Sequence, residues 1–156
     1  MIKKSKVLEI VEKKIVVKSA TKFQPKDYFK TRDGLYIWSS FEDRILSKAK
    51  SIKTSKPFKL ISFELKKDLS DEEIEKELPK KHIFSETDVC AVVAELINKQ
   101  AKGEKGLLFN NGYANLFYTG AFVVGVRWGD DEWGVRAWGR DGLRWYSDDR
   151  VFSPAN

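Results

Sequence analysis

The sequence predicts an α+β domain in which an antiparallel C-terminal meander sheet carries about three helices packed on one face. Three observations carry that expectation. Val89, Val92, Val93, Leu96 and Ile97 recur at i, i+3, i+4, i+7 and i+8, the spacing of a helix with one buried side. Beyond Gly106 the apolar period drops to two, as in strands with alternating faces. Short polar turns then divide the chain at Asn111-Gly112, Thr119-Gly120, Gly129-Asp130-Asp131 and Gly139-Arg140-Asp141-Gly142, as consecutive hairpins require.

Taken in order, residues 14–21 are β-branched and predict a strand, while Val7, Leu8, Val11 and Ile15 at helical spacing leave 5–12 open. Leu35-Tyr36-Ile37-Trp38 reads as a short strand after the Arg32-Asp33-Gly34 turn. Ser39 and Glu42 form a capping-box pattern ahead of a helix over about 40–50, with Phe41, Ile45, Leu46 and Ala49 inward. Residues 58–67 alternate, with Ile61, Phe63 and Leu65 on one face. A second capping box, Ser70 to Glu73, opens a short helix that Pro79 ends, and Ser85 caps the third helix, which runs to about Lys99. Gly103 and Gly106 let the chain leave that helix. Leu107-Leu108-Phe109 and Tyr113 to Tyr118 then pair across Asn-Gly, followed by strands at 122–128, 133–138 and 143–146.

A chain of 156 residues fits one domain, 1–156, with a Lys-rich mixed part at 1–105 and a Trp/Arg-rich sheet at 106–156. The net charge of +6 is uneven: the first part holds 24 Lys and Arg against 17 acids, the second 5 Arg against 6 acids. Such a basic protein attracts polyanions at long range, although scattered lysines equally serve solubility. One cysteine has no disulfide partner, and one Cys with one His cannot build a common zinc site, which points to a reducing compartment. Nowhere do eighteen apolar residues run together, so the expectation is a cytoplasmic chain with no membrane contact, compatible with a bacterial accessory protein. No cofactor loop, metal-ligand set or nucleophile elbow is present in the sequence.

The most unusual feature is the interleaving of Trp128, Trp133, Trp138 and Trp145 with Arg127, Arg136, Arg140 and Arg144. With Trp133, Val135 and Ala137 inward, Arg136 and Trp138 share the opposite face. The candidate partner-binding residues are Arg127, Arg136, Trp138, Arg140, Arg144 and Trp145. Indole and guanidinium groups on a sheet face serve protein contacts or stack unpaired bases. Asp130, Asp131, Glu132, Asp141, Asp148 and Asp149 offset the arginines, which places a protein partner or self-association ahead of nucleic acid. The functional expectation is a small non-enzymatic binding or regulatory domain. The alternatives are a carboxylate-based metal-dependent hydrolase or nuclease around Glu64 and Lys66 with Glu42 and Asp43, and an oligomer whose aromatic face is a subunit contact. Cys90, beside Val89 and Val93, reads as a small core residue. His82, after Lys80 and Lys81, reads as a solvated loop residue.

Overall fold

The C-terminal strand lies inside one mixed sheet whose edge is the N-terminal strand, and a different set of elements covers each face. The computed structural model describes residues 6–140 and 144–155. Its strands are β1 (Leu8–Lys18), β2 (Leu35–Ile37), β3 (Pro57–Leu65), β4 (Leu69–Ser70), β5 (Asn115–Tyr118), β6 (Phe122–Gly129), β7 (Glu132–Gly139), β8 (Arg144–Trp145) and β9 (Arg150–Pro154). The helices are α1 (Pro25–Tyr28), α2 (Ser39–Arg44), α3 (Asp71–Glu77) and α4 (Glu86–Asn98), with a 3-10 turn at Leu46–Lys48. The seven-stranded sheet runs β1-β3-β9-β5-β6-β7-β2, while β4 and β8 pair separately as a two-stranded ribbon.

The first face is covered by α4, α2 and the Phe23–Phe29 segment. Val89, Val92, Val93, Leu96 and Ile97 of α4 join Phe41, Ile45, Phe117, Val124, Val126, Trp133, Val135 and Phe152 in one core. The helical spacing read from the sequence is thus the buried side of α4, and Ser85 caps it through the Asp88 N–H at 3.1 Å. The second face is covered by α3 and the β4–β8 ribbon. Ile74, Leu78, Leu69 and Trp145 pack there on Ile61, Phe63, Leu65, Leu116, Tyr118 and Val151.

This second core corrects the expected architecture. There are four helices rather than three among the described residues, and α3 lies on the face opposite to the others. The meander is confined to β5-β6-β7, because β9 inserts between β3 and β5 and runs parallel to β5, while β2 pairs parallel with β7. The strand expected at 143–146 is reduced to β8 and leaves the sheet to pair with β4. The β7–β8 turn, with Asp141 and Gly142, lies outside the described residues.

Three local expectations also change, each for a tertiary reason. The Asn111-Gly112 hairpin does not form. Instead the buried Gln100 and Asn115 side chains hold the 107–109 backbone: Leu108 N–H donates to Gln100 Oε1 at 2.9 Å and Phe109 N–H to Asn115 Oδ1 at 2.8 Å. The helix expected at 40–50 breaks into α2 and the 3-10 turn, and its first residue follows Trp38, not a Ser39 cap. Trp38 N–H is tied to Val135 O at 3.1 Å, so β2 runs straight into α2, and Ser40 Oγ accepts from Ala137 N–H at 3.1 Å. The strand expected at 14–21 begins at Leu8. Its register shifts between Ile10 and Glu12, and again between Glu12 and Ile15. Such bulges carry Leu8 into the second core and Ile15 and Val17 into the first.

Candidate functional site

Side-chain alternation along β6 and β7 places Arg127, Gly125, Gly134, Arg136 and Trp138 on the second face. There β7 pairs Gly134 with Arg127 and Arg136 with Gly125. On the neighbouring edge strand Tyr36 lies beside Gly134. These residues, with Trp38, Ala114, Gly129, Asp130 and Glu132, line a hollow of about 240 Å³. Tyr36 and Trp38 are 39% and 40% exposed, so the cover provided by α3 and the ribbon stops short of this corner.

The centre of the patch is a stack. The Arg136 guanidinium carbon lies 4.2 Å from the Trp38 ring centre and 4.9 Å from that of Trp138. Tyr36 meets Trp38 edge-on at 5.1 Å, and Trp138 meets Trp145 edge-on at 5.1 Å. Of the two glycines under the indoles, one makes room for its ring. A Cβ on Gly125 would sit 2.4 Å from the Trp138 ring, whereas one on Gly134 would sit 3.6 Å from Trp38 Nε1. Gly125 is therefore obligatory for Trp138 to lie across the sheet, and Gly134 is not. The backbone edge of β2 is already occupied, since Arg32 and Leu35 exchange backbone hydrogen bonds and Ile37 N–H donates to Thr31 Oγ1 at 2.9 Å. What this corner offers is side-chain chemistry.

The six residues singled out in the sequence fall into two groups. Arg127, Arg136 and Trp138 come together on the patch. Arg140, Arg144 and Trp145 are engaged by other groups of the same chain. Arg140 grips both carboxylate oxygens of Glu75 on α3, and its Nη1 also donates to Thr119 O at 3.2 Å and to Gly120 O at 2.6 Å. Arg144, exposed, donates to Asp68 O at 3.1 Å and lies 3.6 Å from Glu73. Trp145 is buried, and its Nε1 donates to Asp71 Oδ1 at 2.7 Å, the same oxygen that accepts Tyr118 OH at 2.7 Å. Burial pushes the Asp71 carboxyl above its ordinary range, and these two hydrogen bonds pull it back only in part. Tyr36 and Trp38 were missed as site residues, although the alternation in Leu35-Tyr36-Ile37-Trp38 already put them on one side.

The groups that suggested catalysis are buried, paired or far apart. Cys90 is fully buried on α4, and burial raises its thiol well above the ordinary value, so it stays protonated. His82 is held rather than solvated: Nε2 lies 2.7 Å from Glu75 Oε1 and Nδ1 3.0 Å from Pro79 O. The open cleft beside it is lined by Glu72, Glu75, Lys76 and Arg140. Glu75 is the carboxylate nearest the histidine there, and both of its oxygens are committed to Arg140 and His82. Glu64 sits on β3 across from Glu9 and Arg150, at the far side of the sheet from Glu42 and Asp43, whose helix packs on β7. Among the described residues no three His, Cys, Asp or Glu side chains come together as a metal site. Also among the described residues, no helix is long and apolar enough to cross a membrane.

No protein-family model matches the chain, and neither a curated protein nor a solved structure matches it significantly, so the geometry of the corner around Arg136 is what bears on function.

Proposed function

We propose that this domain is a non-catalytic binding module that holds a protein partner on the patch of Tyr36, Trp38, Arg127, Arg136 and Trp138. The observation that carries this reading is the convergence of three aromatic rings and two guanidinium groups around a hollow on a part of the sheet that α3 and the ribbon leave open. Large aromatic and Arg side chains at a recess are the usual anchors of protein contacts, because they bury much area, and the aromatic rings lose little side-chain freedom. A stack held over a glycine floor adds to this, since its rotamers are fixed before the partner arrives. Asp130 and Glu132 stand in the same hollow as Arg127 and Arg136. Their offsetting charge weakens the case for single-stranded nucleic acid, which needs a net positive track.

Selection of a random peptide library on the immobilised protein tests the reading, with Trp38→Ala as comparator. A consensus enriched on the native protein and lost on a variant that unfolds at the same denaturant concentration supports it. Absence of a consensus, or peptides that bind both proteins equally, removes it.

A further inference from the structure

Arg136 differs from Arg140 in one respect that bears on what the patch receives. Its guanidinium carbon lies close to two indoles, 4.2 Å from the Trp38 ring centre and 4.9 Å from that of Trp138. What it can still offer a ligand is its N–H donors. Among the described residues no carboxylate or carbonyl engages those donors, and Nε is buried without a partner. The donors of this cation that are not buried have no acceptor among the described side chains and carbonyls, which leaves them for an acceptor from outside. Resting on the binding reading above, we propose that Arg136 takes one side-chain carboxylate, from a single Asp or Glu of a partner's peptide segment, and that the adjoining hollow takes the apolar or aromatic side chain next to it.

A carboxylate matches the in-plane fork of a guanidinium with two parallel hydrogen bonds, as a single phosphate also does. Charge is what selects a peptide carboxylate over a phosphate chain. The four charged side chains lining the hollow, Arg127 and Arg136 against Asp130 and Glu132, sum to zero. One added negative charge directed at Arg136 is accommodated there, whereas a row of phosphates would run into the two acids.

The full chain is titrated with acetyl-Glu-Phe-amide, acetyl-Gln-Phe-amide and oligothymidylate, and binding is followed through the amide and indole N–H signals. The Glu peptide is expected to bind about ten-fold more tightly than the Gln peptide, with shifts at Gly125, Gly134 and the Trp38 and Trp138 indoles. In Arg136→Gln that preference falls to about one, and Arg136→Lys restores only part of it, because an ammonium cannot bond bidentately. The Glu-to-Gln change is made in the ligand, so misfolding of a variant cannot imitate the result. Equal affinity for the two peptides at the patch overturns the carboxylate inference and leaves the binding module standing. No shift at the patch with either peptide also overturns it, and the library selection then decides the module on its own. Tighter binding of oligothymidylate to the same residues overturns it in favour of nucleic acid.

Discussion

Asp71 and Gly125 show how much single positions carry. Asp71 is 2% exposed, holds Tyr118 and Trp145 through one oxygen, and leaves its Oδ2 without a partner. Asp71→Ala would strand two buried donors, so a loss of about 2–4 kcal/mol is expected in urea unfolding. The carboxyl also has a signature in pH. Because burial raises it, the folded protein keeps a proton that the unfolded chain has already released. Stability from this group is complete below the ordinary carboxylate range and falls as pH rises through that range to the higher folded value. Asp71→Asn does not titrate, and its stability curve above the ordinary carboxylate range should lack that decline. A wild-type curve of the same shape would contradict the assignment. At Gly125, an alanine methyl collides with the Trp138 ring, and Gly125→Ala should cost about 1–3 kcal/mol and change the near-UV circular dichroism. Gly134→Ala, at an ordinary contact distance, should leave both within error.

Among the elements, α3 is the most separable. It rests on the second core through Ile74 and Leu78 and is clasped at its side by Arg140 and His82 on Glu75. Arg140→Ala removes the clasp from a partly buried carboxylate and is expected to cost about 1–3 kcal/mol. The same change should speed hydrogen exchange in α3 well before it does so in α4. Equal acceleration in both helices would mean that the clasp is not local. Elements also mark where the sequence could be read. The α4 stripe, the Ser70–Glu73 capping box and the alternation of β3 and β6 are rules within one element, and the structure follows them. The lost Asn-Gly hairpin and the broken helix after Trp38 depend on Gln100, Asn115 and Val135, partners far along the chain or outside the element. Local propensity does not report such partners. The candidate site shows the same division. Arg136 and Trp138 were legible from the period of β7, but Trp38 joins them only through a parallel pairing of strands about a hundred residues apart in sequence.

For the molecule as a whole, the position of β9 decides most. Val151, Phe152 and Ser153 are buried between β3 and β5, with Phe152 stacked on Phe117 at 5.0 Å. This strand joins the β1–β3 pair to the β5-β6-β7-β2 group, and its side chains feed both cores. Removal of residues 150–156 is therefore expected to abolish cooperative unfolding altogether, rather than lower its midpoint, as followed by far-UV circular dichroism in urea. A sharp residual transition would show that one half stands alone. The same placement bears on synthesis. Neither the β3 edge nor the β5 edge that β9 pairs with has its partner until residues 150–154 are made. Closure of the sheet is then expected to be a late, long-range event.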